Sequence, residues 1–432
     1  MSTSEAKKSS LPGRRRLFNI ASQTFSSLQI YPNFRRLWIS NLFFFGGVWT
    51  HTLILGWLVF DLTNSAFLTG VFTAARLAPM MLGPLSGVIS DRFNRVKLLL
   101  VASVWAWAAI VVIAILVSIG RASFGAVLVG GLCIGLAQSP SQPARFALVF
   151  NFVGRKNLNN ANALNSIVLN MTQVLGPALG GAMIAVFGIA ASLWISSLWY
   201  VVSFIALWKL KDEGIPAPHV EHEPIMQMLS DGLKAVFSSQ LTKAVLLVTF
   251  AANVLLWPIY QGFMPVFAEV SLGLDASGLG WLMACSGIGG LVGSLTIATL
   301  GDIRFKGALF VIGTAIWAIS WIVFASVAST GAIPWSFALM GLVGLTSAPF
   351  GVLQSTLLLM MTEQGVQGRV MGIQELTIGI MPLSTLGLGA IAELTGIAGV
   401  AQINGILLIL FLAVLVVRVP TLLRYSGIQP QK

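Results

Sequence analysis

From Ile89 to Ile119 the chain reads ISDRFNRVKLLLVASVWAWAAIVVIAILVSI. One acid and three bases crowd its first nine residues; from Leu98 onward no charge appears until Arg121. About 20 mostly apolar residues suffice for a helix to cross the ~30 Å hydrocarbon core of a bilayer. The run after Lys97 has that length and no polar side, so it predicts a helix surrounded by protein or lipid rather than one lying at a water surface. The composition extends this reading to the whole chain. Of 432 residues, 56% are apolar and 9% charged, against roughly 25% charged in soluble domains. A soluble fold of this size could not cover its surface with so few charges.

Working outward from this run, about twelve such stretches emerge. Six lie near 37–60, 66–89, 97–119, 122–147, 161–188 and 191–209, and six near 241–268, 276–299, 307–328, 332–358, 371–392 and 397–420. Between the two sets lies a polar stretch from Lys209 to about Gln240 that carries Asp212, Glu213, His219, Glu221, His222 and Glu223. The expected fold is an all-α membrane protein of twelve transmembrane helices in two pseudo-symmetric six-helix bundles. A basic arm (1–36) precedes the first bundle (37–209); a central loop (210–240) separates it from the second (241–420), and a tail (421–432) follows. Repeats of this kind place a substrate site at their interface.

Basic residues set the orientation. With the amino terminus in the cytoplasm, that side holds the cluster Arg14, Arg15, Arg16, then Arg35 and Arg36, Arg92, Arg95 and Lys97, Arg145, Arg155 and Lys156, Arg304 and Lys306, and Arg369. The opposite side holds Arg121 with Asp61, Glu269, Asp275 and Glu393. The expected location is the inner or plasma membrane, multi-pass, with both termini cytoplasmic and no cleavable signal peptide. This placement accounts for the net charge of +11, so no nucleic-acid partner is needed. Cys133 and Cys285 lie far apart in apolar runs, and the three histidines show no metal-ligand spacing, so neither a disulfide framework nor a metal is expected.

Several motifs carry chemistry. Gly87, Asp91, Arg92 and Arg95 sit at a short turn after the second run. Asp91 can cap a helix end or pair with a base while Gly87 allows close approach, the makings of a latch. The segment resembles the G-x-x-x-D-R-x-x-R-[RK] loop of the major facilitator superfamily. Asp302, Arg304 and Lys306 form a degraded echo after the eighth run, with Ala298 where Gly87 stands in the first. Phe34–Trp38, Trp57–Ser65, Arg76–Pro79, Asn160–Leu164 and Gly368–Gly372 resemble the enterobactin-exporter and macrolide-efflux-like branch. Gly176, Pro177, Gly180 and Gly181 resemble the G-P-x-x-G-G core associated with drug–proton antiporters, although Thr172 replaces a glycine of the fuller motif. The fourth-span arginine of many antiporters is missing, with Arg121 before that span and Arg145 at its far end.

Ionisable residues inside spans are costly and are functional candidates by default. His51 could exchange a proton or simply bond a neighbour; Arg76 could attract an anion or serve as an ion-pair latch; Glu375 could be a second proton site or snorkel to the interface. Gln138, Asn170, Gln173, Asn253, Tyr260, Gln261 and Gln354 are candidate cavity residues. Glycines at small-xxx-small spacing (Gly83 and Gly87, Gly131 and Gly135, Gly176 and Gly180, Gly289 and Gly293) predict close helix packing.

The resemblance implies a monomeric carrier that exports an amphipathic small molecule, siderophore or drug, by alternating access and proton-coupled antiport, within membrane lipid. No nucleotide motif appears, so no cofactor is expected. Import of a small metabolite on the same fold stays open. A membrane-embedded enzyme is the remote alternative, with His219 and His222 in the central loop as its only paired histidines.

Overall fold

Lipid offers backbone N–H and C=O groups no water, so each apolar run must satisfy its own hydrogen bonds, and the helix does so. The computed structural model describes residues 26–82, 93–210, 225–299, 305–362 and 367–426, with Ser86 and Ile89; these contain helices and turns and no strand. Among them, nine helices are long and apolar enough to span a membrane, with Ala66–Met81 a shorter apolar helix beside them. Two of the nine, Asn160–Trp208 and Val370–Arg418, are 49 residues each. At 1.5 Å per residue such a helix would run roughly 75 Å, more than twice the hydrocarbon thickness. Both are broken by glycines with left-handed backbone, Gly188 and Gly396.

The segments, in chain order, are α1 (Pro32–Thr63), α2 (Ala66–Leu77, continuing as a tighter turn to Leu82), α3 (Arg95–Ser118), α4 (Phe124–Gly154), α5 (160–187) and α6 (189–208). The short helix Ile225–Ser238 leads into α7 (Gln240–Gly262), α8 (Ala276–Thr299), α9 (Lys306–Ala328), α10 (Ile333–Met361), α11 (367–395, with a turn at Ile380) and α12 (397–418). Short polar side chains start several of them. Ser65, Asn94, Ser123, Ser239 and Asp275 each accept a hydrogen bond from the backbone N–H three residues on, satisfying donors that the helix leaves open.

The connections at one end of the bundle share a device. Asn64, Gly120, Gly188, Gly273, Gly331 and Gly396 all have φ between 47° and 75°. They sit in the α1–α2, α3–α4, α5–α6, α7–α8, α9–α10 and α11–α12 connections. A left-handed residue reverses the chain in little length, and glycine or asparagine adopts it at least cost. We refer to this end as the turn end.

Burial sorts centre from periphery. The most apolar stretches of α1 and α7 are 78% and 61% buried, while that of α3 is 33% buried. Val101, Val104, Trp105, Val112 and Ile115 on α3 stand exposed, a surface suited to lipid rather than water. Two cores pack the first half: one around Phe44, Leu55, Phe72, Ile110 and Tyr200, the other around Phe34, Leu99, Leu148 and Leu207. A single larger core runs through the second half and takes in Leu53 and Phe60 of α1.

Close backbone approach joins the helices. A Cβ on Gly135 would strike the Arg76 carbonyl of α2, and one on Gly289 the Gly341 carbonyl of α10. Across the seam between the halves, Gly181 of α5 meets Ala276 and Gly280 of α8, and Gly389 of α11 meets Phe67 of α2. The Gly83 and Gly87 pair lies outside the described residues.

Candidate functional site

Two cavities open along the seam. The smaller is a space of about 10 Å³ where α1, α2, α7 and α8 meet, and Arg76, Thr52, Thr73, Tyr260 and Gln261 are among the residues around it. The larger, about 440 Å³, is bounded by α5, α7, α8, α9 and α10; Trp257, Tyr260, Trp317, Trp321, Asn170 and Gln173 contribute, and among the described residues no charged side chain lines it. Tyr260 is a wall of both. The larger cavity reaches Ser166, Ser294 and Val352, which lie toward the ends of their helices remote from the turn end.

Arg76 is 5% exposed. Among the described residues no carboxylate pairs with it, and its Nε has no hydrogen-bond partner. Gln261 Oε1, at the same cavity, is also without a partner.

His51 faces elsewhere. It is buried against α6, where its Nε2 stands 2.9 Å from Ser196 Oγ and its ring stacks on Tyr200 at 5.3 Å between centroids. It lines neither cavity. Tyr200, which sequence reading did not single out, lies between His51 and Arg76: stacked on the first and close enough to the second to interact electrostatically. Glu375 is on an exposed part of α11 and also lines neither cavity. The three ionisable candidates are therefore not gathered in one site.

The polar candidates divide. Asn170, Gln173, Tyr260 and Gln261 line the cavities. Asn253 instead donates to Thr377 Oγ1 across α7 and α11 at 2.8 Å, and Gln138 and Gln354 are half-buried away from both spaces. In the proline–glycine motif, Thr50 Oγ1 donates to the Gly176 carbonyl at 3.1 Å, and Gly176 and Gly180 seat α5 on the α1 backbone. Gly181 points the other way, across the seam to α8. The motif thus binds α5 within its own half and to the opposite half. Pro177 lies inside the helix without breaking it.

Of the loop latch, Gly87, Asp91 and Arg92 lie outside the described residues, as do Asp302 and Arg304 and the central-loop histidines His219 and His222. Arg95 is buried in the first turn of α3, behind the Asn94 cap. At the turn end a different contact crosses the seam. Glu393 of α11 accepts from Ser65 Oγ at 2.6 Å and from Phe67 N at 3.0 Å, so an acid of one half caps the amino end of α2 in the other. Negative charge there also suits the helix dipole.

One expectation needs correction. Arg145 was grouped with the loop bases, but α4 continues to Gly154, and this places Arg145 inside the first half at 1% exposure. Its Nη1 donates to Ser40 Oγ at 3.0 Å and Asn41 Oδ1 at 2.5 Å, and its guanidinium lies 4.2 Å from the Phe44 ring centroid. Asn41 is held in turn by Asn165 and Ser40 by Ser203. Among the described residues no group of three or more His, Cys, Asp or Glu gathers as a metal site would.

A helical bundle with lipid-suited flanks, a glycine seam and interior cavities walled by both halves is the build of a multi-pass membrane transporter. The profile of the transmembrane secretion effector family matches residues 22–426, and the chain belongs to that family, within the major facilitator superfamily. It is 25% identical over 354 residues to the multidrug efflux pump Tap of Mycolicibacterium fortuitum, covering 79% of this chain and 84% of that one. It is 25% identical over 413 residues to the enterobactin exporter EntS of Shigella flexneri, covering 94% and 96%. Among solved structures, the nucleoside transporter NupG superposes with a TM-score of 0.73 at 13% identity, over 90% of this chain and 99% of that one. A peptide transporter POT superposes with a TM-score of 0.73 at 12% identity, over 91% and 95%. The family resemblance and the α-helical membrane fold read from the sequence are borne out. These relatives are transporters, so the enzyme alternative falls away.

Proposed function

We propose that this protein exports an amphipathic small molecule by alternating access, in exchange for protons. The observation that carries the reading is the pair of seam cavities joined at Tyr260, walled by both halves and closed over at the turn end by Glu393 and Gly181. The names of the efflux relatives support the outward direction. Counting each glycine-broken helix as two spans and Ala66–Met81 as the second supports twelve spans. The two halves, 37–209 and 241–420, then rock about the seam. The basic loops support an orientation with both termini in the cytoplasm of the inner membrane, the turn end outward and the larger cavity on the cytoplasmic side. Asp91, Arg92 and Arg95 act with Gly87 as the cytoplasmic latch. His51, Arg76 and Glu375 are the groups through which protons and substrate are coupled, and the carrier works as a monomer in lipid.

The test is efflux from proteoliposomes loaded with an amphipathic panel, with and without an imposed pH gradient. Efflux that follows the gradient and weakens in His51→Ala or Glu375→Gln supports proton antiport. Efflux indifferent to the gradient removes the coupling, and no efflux of any compound removes the export reading.

A further inference from the structure

Arg76 and the tryptophans of the second half have so far been separate observations. Their meeting at one residue narrows the substrate. An isolated guanidinium buried in a membrane protein carries a large desolvation cost unless an anion or a set of hydrogen bonds offsets it. Arg76 has no described carboxylate partner, is 5% exposed, and lines a cavity to which the opposite half contributes Gln261, whose buried Oε1 is also unpartnered. A permanent structural ion pair would show its acid here; an anion that arrives with the cargo would not. The space beside Arg76 has room for about one water, and it lies where α1 and α2 of one half meet α7 and α8 of the other. It widens when the halves part.

The neighbouring chamber asks for the opposite chemistry. Among the described residues no charge borders its 440 Å³. Trp257 meets Tyr260 edge-on at 5.9 Å and Trp317 at 5.9 Å with 65° between planes, so three rings form one wall. Asn170, Gln173 and Ser286 supply neutral hydrogen-bonding groups on other sides. Such a wall favours flat rings, which gain edge-to-face contacts beyond their burial. Because Tyr260 borders both spaces, an acid at Arg76 and a ring system against Trp257 are within reach of a single small molecule.

We infer that the cargo is an aromatic amphipath with one anionic group, its acid held at Arg76 and its rings seated against Trp257 and Trp317. This rests on the export reading and adds the class of substrate to it. A cation meets the Arg76 charge, and a dianion leaves one of its charges facing the neutral chamber, so both are disfavoured.

The experiment is titration calorimetry on the purified full-length protein with 4-(1-naphthyl)butyrate and its neutral amide, which differ in charge and share the ring. The expected result is at least tenfold tighter binding of the acid. Arg76→Gln should erase that preference with the amide unaffected, while Arg76→Lys, which keeps the charge, should retain part of it. Trp257→Leu should weaken both ligands severalfold and leave their ratio intact. Equal affinities in the unaltered protein, or a preference that survives Arg76→Gln, overturn the anion site. Unchanged affinities in Trp257→Leu overturn the aromatic seat. The two readings separate cleanly: the expected binding pattern without efflux of any compound of the panel upholds the site and removes export, whereas efflux of other compounds with no such pattern removes the site and leaves export.

Discussion

The first half of the chain buries ionisable side chains, and the second half buries tryptophans. His51, Arg76 and Arg145 are all at or below 5% exposure among α1, α2 and α4, and Arg145 holds a polar cluster of Ser40, Asn41, Asn165 and Ser203. In the second half the largest buried side chains are Trp317, Trp321, Phe263, Phe267, Phe310, Phe324 and Phe350. Two halves with one architecture therefore offer a cargo different surfaces. A directional, charge-bearing wall fixes one end of a molecule, while an aromatic wall with few directional bonds accepts many shapes of the remainder. An exporter needs both: enough discrimination to spare ordinary metabolites, and enough tolerance to handle a class.

The comparison is best attacked first at the seam. Gly181→Val places two methyls against the Ala276 carbonyl and the Gly280 backbone, so the halves should fail to close at the turn end. Transport should fall at least tenfold with insertion intact, and a cysteine placed at Phe67 should label faster. Normal transport in a well-expressed variant would show that the halves do not need this contact. Next comes the charged half. Arg145→Lys keeps the charge but loses the planar fork and the stacking on Phe44, and the more strongly hydrated ammonium is poorly suited to the site. A loss of about 2 kcal/mol is expected, read as a lower temperature of aggregation in detergent; an unchanged temperature would mean that charge alone matters there.

A smaller effect is expected at the clamp. Glu393→Gln weakens the cap on α2, an exposed contact worth about 1 kcal/mol. The population open at the turn end should then rise about fivefold, measured by the same labelling at position 67. A fall in labelling would reverse the role given to Glu393. Least of all should come from Trp321→Phe in the aromatic half. The Trp321 Nε1 is buried without a partner, so its removal should alter stability by less than about 1 kcal/mol. A large destabilisation would reveal a hydrogen bond to that nitrogen and make the aromatic wall of the second half partly polar.

The sequence was informative where one helix suffices to decide. Apolar length marked the helices long enough to cross a membrane. The proline–glycine motif was visible, though not that Gly181 turns away from Gly176 and Gly180 to face the other half. Arg145 was misplaced because the apolar run of the fourth span ends near Ala147, only two residues past it, while the helix itself continues to Gly154. Contacts between distant helices left no local trace. Tyr200 meets His51 across 149 positions, Trp257 meets Trp317 across 60, and Ser65 meets Glu393 across 328. Each partner alone is an unremarkable residue on an apolar helix, and only packing gives the pair its meaning.

The six left-handed turns bear on how the chain enters the bilayer. Each joins two apolar helices by a few residues with little charge, so the second helix of a pair leaves the ribosome with almost no polar segment to hold it back from following the first. Helices would then be delivered as hairpins, with the turn crossing the membrane and the basic loops remaining where they were made. On the proposed twelve-span arrangement, Asn64 and the five glycines reduce twelve choices of direction to six, each settled by the loop charges that flank a hairpin rather than by any one helix.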